Sequence, residues 1–201
     1  MAGNSSGPLI GVLALQGDFD AHWEALRRAG ARATPVRTAE QLRSVDGLVI
    51  PGGESTTMLK LLDYESLFEP LRRFGDEKPI FGTCAGAILL ASEVLNPPQP
   101  SLSLLDMSVE RNGYGRQIDS RIANVDLTRG GQTEAVFIRA PIIRRIGPET
   151  RVLATYQNAP VLVEQGKHLA ATFHPELSPA ASPIHGIFLD KVRSAQGTSV
   201  R

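Results

Sequence analysis

The chain has 201 residues, of which 42% are hydrophobic and 21% are charged, so it is long enough to bury a full core. Lysine plus arginine and aspartate plus glutamate number 21 each, and this balance argues against nucleic acid or an anionic membrane as a partner. The single cysteine excludes an intramolecular disulfide, and no apolar run approaches the roughly 18 residues of a membrane span.

Residues 1–8 form a small polar segment that lacks the basic and apolar regions of a secretory signal peptide. We expect this tail to be disordered and the protein to be cytoplasmic. No repeat or linker divides the rest of the chain, so a single domain is predicted over 9–193, followed by a frayed tail over 194–201.

The first half of the chain alternates apolar runs with segments of helical periodicity. Continuous apolar runs predict four buried strands, at 9–15, 31–36, 47–50 and 79–81. Helices are predicted from an N-cap at Asp20 to a stop at Gly30, after an N-cap at Thr38, around 58–62 and around 65–74. This rhythm predicts an α/β fold of three layers, doubly wound and flavodoxin-like, in which a mixed, mainly parallel sheet carries helices on both faces.

The second half is richer in short β-like runs. They predict strands at 118–127, 135–138, 152–156, 161–163 and 169–173. A turn at Gln165 and Gly166 joins the last two into a hairpin, and a final helix is predicted over 183–193.

Cys84 lies between a predicted strand and a predicted helix. Gly82 and Gly86 flank it, which is the pattern of a nucleophile elbow, a sharp turn that exposes a reactive side chain. A helix N-terminus stabilises a thiolate through its dipole and its free N–H groups. The alternative is a buried structural cysteine, a common environment for this residue type.

His174 is the candidate base for this thiol. It follows the apolar run 169–173, and Gln16, the turn at 52–53 and Cys84 also follow strands, where the ligands of such a sheet gather. Residues two apart in an extended segment point to the same side, so Glu176 can hold one ring nitrogen of His174 while the other faces the thiol. Taken alone, the His-Pro-Glu run favours a structural histidine at a turn; together with the elbow, it favours a Cys-His-Glu triad.

The turn at Gly52 and Gly53 is a candidate for stabilising an oxyanion. Small residues let backbone N–H groups approach a ligand, and the N–H of Ala85, directly after the thiol, is the second candidate donor. A plain tight turn before a helix capped by Ser55 or Thr56 is the alternative, and the two interpretations are compatible.

The other histidines give no comparable pattern. His22 is predicted on a helix surface, His168 at a hairpin turn and His185 at the start of the last helix, each of them structural or solvated. They form no metal-ligand spacing with Cys84, and no phosphate-binding glycine loop is present, so neither a metal nor a cofactor is expected.

Several motifs together resemble the class I (triad) glutamine amidotransferases: GTCAG at 82–86, PGGES at 51–55 and FHPE at 173–176. More narrowly, the chain is similar to the glutaminase subunits of pyridoxal 5'-phosphate synthase. This narrower resemblance depends on GVLALQG at 11–17, PGGESTTM at 51–58, VERN at 109–112, GRQ at 115–117 and FIRAP at 137–141. It extends over about residues 9–193.

The resemblance implies that Cys84 is the nucleophile and that His174 and Glu176 complete a triad. It implies an oxyanion hole at Gly53 and Ala85, and partner docking or activation at Gln16 and Gly52. The implied glutamine-binding positions are Gly53, Glu54, Ser55, Arg111, Ile138 and Arg139. Guanidinium groups among them suit the carboxylate of an amino acid.

By the same resemblance, the chain releases ammonia from glutamine and passes it to a separate synthase subunit that builds pyridoxal 5'-phosphate. Neither nucleic acid nor a membrane is expected as a partner. Two alternatives stay open: another Cys-His-Glu hydrolase of this architecture, such as a γ-glutamyl peptidase, and a non-catalytic subunit that senses glutamine.

Overall fold

The computed structural model describes residues 7–111, 120–178 and 183–198. Its first half holds β1 (Leu9–Leu13), α1 (Phe19–Arg28), β2 (Arg32–Val36), α2 (Ala39–Arg43), β3 (Gly47–Ile50), α3 (Ser55–Tyr64), α4 (Phe68–Glu77), β4 (Ile80–Thr83) and α5 (Ala85–Leu90). Its second half holds β5 (Ala91–Leu95), β6 (Leu105–Glu110), β7 (Arg121–Leu127), β8 (Gln132–Phe137), β9 (Ile142–Ile146), β10 (Arg151–Tyr156), β11 (Ala159–Gln165), β12 (His168–Ala171), a 3-10 turn (Pro175–Leu177) and α6 (Pro183–Thr198).

A nine-stranded mixed sheet runs through the molecule in the order β2-β1-β3-β4-β12-β11-β10-β7-β8. The strands from β2 to β12 pair in parallel, and the pairs from β12 to β8 are antiparallel. The inner parallel strands β3 and β4 are buried at every position, which explains why they are continuous apolar runs. The predicted α/β fold is confirmed, and so is the hairpin of β11 and β12.

Two apolar clusters cover the two faces of this sheet. One packs α1 and α6 against the sheet through side chains such as Leu26, Phe81 and Phe188. The other packs α2, α3, α4 and α5 on the opposite face through Leu42, Leu62 and other buried side chains. Helices on both faces leave the strand ends of the sheet as the place where polar side chains converge.

A second sheet of three strands, β5-β6-β9, was not predicted from the sequence. Its strand β5 directly follows α5, with no turn residue between them to mark a boundary in the sequence. In β5, Ala91 and Val94 are buried and the two residues between them are exposed. Buried and exposed side chains therefore do not alternate, and the sequence lacks the period-two pattern that indicates a strand.

Three local predictions were wrong at element ends. Asp18, not Asp20, caps α1 by accepting a hydrogen bond from the backbone N–H of Ala21. Glu54, not Ser55 or Thr56, caps α3. The last helix continues past residue 193 to Thr198, so most of the tail that was expected to fray is helical.

Some predictions fall wholly or partly outside the described residues: the disordered tail predicted over 1–8, of which the structure describes only 7–8, Asn112, the motif at 115–117, the first two residues of the strand predicted at 118–127 and the chain end at 199–201. In the part of the chain that the structure describes, none of the helices combines the length and apolar character that crossing a membrane requires.

Candidate active site

Cys84 lies at the junction of β4 and α5 with a backbone conformation that L-residues rarely adopt, φ +48° and ψ −105°. Such a conformation is costly, and the surrounding packing has to impose it. A Cβ on Gly82 would lie 2.5 Å from the carbonyl of Gly86, and one on Gly86 would lie 2.1 Å from the carbonyl oxygen of Ile50. Glycines therefore permit the close packing of strand and helix that creates the sharp turn predicted from the sequence.

His174 reaches this turn because β12 runs parallel to β4 as its neighbour. The backbone N–H of Cys84 donates to the carbonyl of Ala171 at 2.8 Å, which fixes the end of one strand against the other. A Cβ on Gly52 would lie 2.3 Å from Cε1 of His174 and 3.3 Å from Cβ of Cys84. The ends of β3, β4 and β12 thus bring Gly52, Cys84 and His174 together.

Glu176 accepts a hydrogen bond from the imidazole of His174, with 2.8 Å between Nδ1 and Oε1. The sequence predicted this contact, but through an extended segment. The structure instead begins a 3-10 turn at Pro175, directly after His174, and this turn directs the Glu176 carboxylate back toward the ring. The Glu176 side chain is completely buried.

The two side chains carry opposite shifts in pKa. Burial lowers the pKa of His174, but the hydrogen bonds and charges of Cys84 and Glu176 outweigh it and raise that pKa to about 10. Burial raises the pKa of Glu176, but its interactions with His22 and His174 outweigh burial and hold that pKa well below its usual range. A protonated His174 paired with an ionised Glu176 is therefore favoured at neutral pH, and an imidazole held in this way beside Cys84 suits nucleophilic attack by sulfur.

Gln16 and the turn after β3 are linked by a short hydrogen bond. The Gln16 side-chain amide donates to the carbonyl of Glu54 at 2.6 Å. Gly53 has φ +136°, and a Cβ there would lie 3.0 Å from Nε2 of Gln16. A Cβ on Gly17 would lie 1.9 Å from the carbonyl oxygen of Gly52, so the loop after β1 packs directly on the turn after β3.

Glu54 and Ser55 differ in exposure and in partner. The Glu54 carboxylate accepts hydrogen bonds from the backbone N–H groups of Thr56 and Thr57 and from their hydroxyls. Partial burial would raise the pKa of Glu54, but these hydrogen bonds lower it to about 2. Ser55 is buried and its hydroxyl donates to the side chain of Gln99 at 3.0 Å, a partner that the sequence did not suggest.

The arginines lie on two sides of the elbow. Arg111 donates to Glu54 at 3.0 Å and to the hydroxyl of Thr56 at 2.7 Å, so it is held at the start of α3. Arg139 is exposed and has φ +46°, and the carbonyl of the preceding Ile138 lies 3.9 Å from Sγ of Cys84. Ala85, the second expected oxyanion donor, is the first residue of α5, where an N–H has no partner within the helix.

His22 was predicted on a helix surface, and that prediction was wrong, because His22 is completely buried under the elbow. His185 lies in the first turn of α6, as predicted, and is 1% exposed, so it is structural rather than solvated. His168, expected at a hairpin turn, is also buried and accepts a hydrogen bond from the N–H of Ile80, at the far end of β4. A signal for His22 existed, because His22, Ala25 and Leu26 share one helix face.

A model of the SNO glutamine amidotransferase family matches residues 12–194, nearly the whole chain. The chain belongs to this family. Among curated relatives, the pyridoxal 5'-phosphate synthase subunit PdxT of Solibacter usitatus is 60% identical over 190 residues, covering 91% of this chain and 98% of the relative. The PdxT subunit of Koribacter versatilis is 56% identical over 186 residues, covering 92% and 96%.

Solved structures of glutamine amidotransferases share the fold. One crystal structure with that description is 46% identical and has a TM-score of 0.86, covering 92% of this chain and 98% of its own. The structure of PurLQS from Thermotoga maritima is only 15% identical but has a TM-score of 0.61 over 97% of this chain and 100% of its own. At that identity the likeness concerns the fold alone.

Proposed function

We propose that this member of the SNO glutamine amidotransferase family hydrolyses L-glutamine to L-glutamate and ammonia and supplies the ammonia to a pyridoxal 5'-phosphate synthase subunit. The observation that carries the proposal is the contact of a cysteine in a strained elbow with a buried His-Glu pair whose nitrogen and oxygen are 2.8 Å apart. The relatives at 60% and 56% identity are pyridoxal 5'-phosphate synthase subunits, which supports the synthase as the partner. No cofactor takes part in the proposed reaction.

In the proposed first half-reaction, Sγ of the Cys84 thiolate forms a bond to the side-chain amide carbon of glutamine. The electron pair of the carbonyl moves to its oxygen. The His174 imidazolium, whose pKa is raised to about 10, then gives its proton to the amide nitrogen, the carbon–nitrogen bond breaks and ammonia leaves. A glutamyl thioester on Cys84 remains.

In the second half-reaction, neutral His174 takes a proton from water as the water oxygen attacks the thioester carbon. The carbon–sulfur bond breaks, glutamate leaves, and the thiolate–imidazolium pair is restored. Glu176 stays ionised throughout, because its pKa is held well below the usual range, and it stabilises the imidazolium in both halves.

We assign the oxyanion to the backbone N–H groups of Ala85 and Gly53. Ala85 supplies a donor that the helix leaves free, and Gly53 lies in the turn whose neighbour Gly52 packs on the His174 ring. Gly53 occupies a conformation, φ +136°, that other residues rarely adopt. Rotation of a single peptide there would present or withdraw one donor, which makes this turn a candidate for activation by the partner.

We assign the amino acid part of glutamine to Glu54, Ser55, Arg111, Ile138 and Arg139. With its pKa lowered to about 2, the Glu54 carboxylate is anionic at neutral pH and suits the substrate ammonium group. Arg139 is exposed beside the elbow and suits the α-carboxylate, and the Ile138 carbonyl near Sγ borders the reacting amide. Arg111 supports this set by holding Glu54 in place.

The deciding experiment measures ammonia release from glutamine by the wild type and by Cys84→Ala, each with and without the synthase subunit. We expect the wild type to be slow alone and faster with the partner, and Cys84→Ala to be inactive in both cases while still binding glutamine. Ammonia release by Cys84→Ala at a rate near that of the wild type would exclude the proposed nucleophile. Turnover of γ-glutamyl peptides without turnover of glutamine would instead indicate a peptidase of the same architecture.

A further inference from the structure

His22 is a buried titratable side chain that the proposed reaction does not use. It lies on α1 with no solvent exposure, and its ring has polar contacts through both nitrogens. Nε2 lies 3.0 Å from the hydroxyl of Thr83 and 3.3 Å from Oε2 of Glu176, and Nδ1 lies 3.1 Å from Nε2 of His185. A buried polar ring with this many partners needs an explanation, because desolvating it is costly.

The contact with Glu176 involves the carboxylate oxygen that His174 does not use. Oε1 accepts from His174, whereas no group in the described part of the chain other than His22 approaches Oε2 as a donor. The 3.0 Å contact of Nε2 with the Thr83 hydroxyl is a hydrogen bond, whereas the 3.3 Å contact with Oε2 of Glu176 is an electrostatic contact that lacks hydrogen-bond geometry. His22 and His174 together hold the two oxygens of one buried carboxylate.

The hydrogen-bond network assigns the tautomers. Nδ1 of His185 is buried without a hydrogen-bond partner among the described residues. An orphaned N–H is rarer in proteins than an orphaned acceptor, so Nδ1 carries no proton and Nε2 of His185 donates to Nδ1 of His22. Nε2 of His22 then carries the proton that faces Thr83 and Glu176. Burial lowers the pKa of His185 to about 3, which keeps it neutral in this role.

We propose that His22 is a positioning residue of the nucleophilic site, which holds the second oxygen of Glu176 and so keeps the His174 imidazolium paired with the Cys84 thiolate. Thr83 and His185 orient the His22 ring from β4 and α6. The chain His185–His22–Glu176–His174–Cys84 thus extends the triad through the core. The proposal deepens the proposed function and depends on the nucleophile assigned there.

Every element packed against His22 contributes to its electrostatic setting. The 3-10 turn presents Glu176, α6 presents His185, and β4 presents the Thr83 hydroxyl and the edge of the Phe81 ring. His174 and Cys84 lie beyond Glu176, and Arg28 of α1 acts on His185. Glu176 is the negative group among these side chains that directly contacts the His22 ring. Removing the His22 donor therefore affects the Glu176 carboxylate most directly.

The test uses the fact that Cys84 is the only cysteine, so iodoacetamide alkylation of the whole protein reports its thiolate alone. His22→Phe keeps a ring but has no donor, and His22→Gln places an amide N–H near the position of Nε2. We expect His22→Phe to shift the alkylation curve to higher pH and to slow alkylation at pH 7 about tenfold, the usual scale for a lost hydrogen bond to a charged group. We expect His22→Gln to stay within about threefold of the wild type.

The matched control is His168→Phe, which removes another buried histidine, one that contacts Ile80 at the opposite end of β4. It is expected to lower the melting temperature and to leave the alkylation curve unchanged. A His22→Phe curve that superposes on that of the wild type, in a protein that circular dichroism shows to be folded, overturns the proposal. Should His22→Phe not fold, nitrogen-15 shifts of the wild-type histidines decide, because a proton on Nδ1 of His22 contradicts the assignment.

Alkylation needs neither glutamine nor the synthase, so the two proposals fail separately. A shifted alkylation curve without glutamine hydrolysis by the wild type removes the glutaminase and leaves the role of His22. Glutamine hydrolysis by the wild type together with an unshifted His22→Phe alkylation curve supports the glutaminase and removes the role of His22.

Discussion

His174 and Glu176 carry opposite shifts in pKa, and the two shifts affect stability in different ranges of pH. His174 has its folded-state pKa raised from 6.5 to about 10, so its contribution is complete below pH 6.5 and is lost as the pH rises toward 10. Glu176 has its pKa lowered from 4.5, so its contribution is complete above pH 4.5 and is lost as the pH falls below that value. The pair therefore stabilises the fold most between about pH 4.5 and 6.5.

We predict that Glu176→Gln lowers the melting temperature most in this range, on the order of 5 °C, and progressively less toward pH 10. The reason is that the variant loses the carboxylate that favours the charged imidazole. Thermal melts of both proteins across this range measure the difference. Glu24→Gln is the matched control, because Glu24 pairs with Arg27 on the exposed surface and its loss should cost little at any pH. A difference for Glu176→Gln that does not vary with pH would contradict the assigned shifts.

At the scale of single residues, the sequence predicted the contact of His174 with Glu176 and their convergence on Cys84, because all three follow apolar runs that end at one edge. It did not predict that Arg111 would hold Glu54 and Thr56, or that Ser55 would bind Gln99. These contacts join segments far apart in the chain, and neither apolar periodicity nor residue spacing reports the distance between such side chains.

The turn between β3 and α3 shows how an element end constrains chemistry. A Cβ on Gly52 would lie 2.3 Å from Cε1 of His174, a distance that forces either the ring or the turn to move. We predict that Gly52→Ala displaces His174 and lowers the rate of ammonia release about a hundredfold, since misplacement of a reacting group by about 1 Å has this scale of effect.

Steady-state rates and thermal melts of Gly52→Ala test this prediction together. Gly197→Ala is the control, because Gly197 lies in α6 with nothing within 4 Å of a Cβ placed there. It should keep full activity and be slightly more stable than the wild type. Full activity of Gly52→Ala would show that the turn can yield without moving His174.

Uniform burial made some strands easy to predict, whereas the second sheet was missed. The strands β3 and β4 are buried at every position, so each is a short continuous apolar run. In β9, the first two residues are buried and the next two are exposed, so burial does not alternate. The strand joins the second sheet by pairing with β6, which lies more than thirty residues earlier in the chain. Pairing at that distance supplies its stability, and a local pattern does not record it.

At the scale of the whole molecule, the position of His22 follows from how two helices meet the sheet. His22, Ala25 and Leu26 share the buried face of α1, and His185 lies in register with Phe188 and Leu189 on α6. The helical periodicity of the sequence was therefore sufficient to predict that both histidines are buried. That the two faces meet each other behind Glu176 depends on the packing of α1 and α6 on one side of the sheet, which no single segment encodes.

The proposed coupling to the synthase belongs to the same scale, because Gln16, the expected docking residue, links two loops of this chain. The Gln16 side chain donates to the Glu54 carbonyl at 2.6 Å and thereby ties the loop after β1 to the turn that holds Gly53. We predict that Gln16→Leu, which keeps the side-chain size but has no donor, lowers the synthase-stimulated rate of ammonia release about tenfold. The unstimulated rate should change far less, since Gln16 contacts neither Cys84 nor His174 through any hydrogen bond in the described part of the chain.

Titration of each protein with the synthase separates the two effects of this substitution. If the maximal rate of ammonia release at saturating synthase is reduced, Gln16 acts in activation of the turn. If the maximal rate is unchanged but is reached only at a higher synthase concentration, Gln16 acts in docking alone. Asp18→Asn, a nearby change that keeps a side-chain acceptor for the N–H of Ala21, is the control and should respond like the wild type. A Gln16→Leu protein with the stimulated rate and midpoint of the wild type would remove this loop from the coupling and leave the turn at Gly53 to respond by itself.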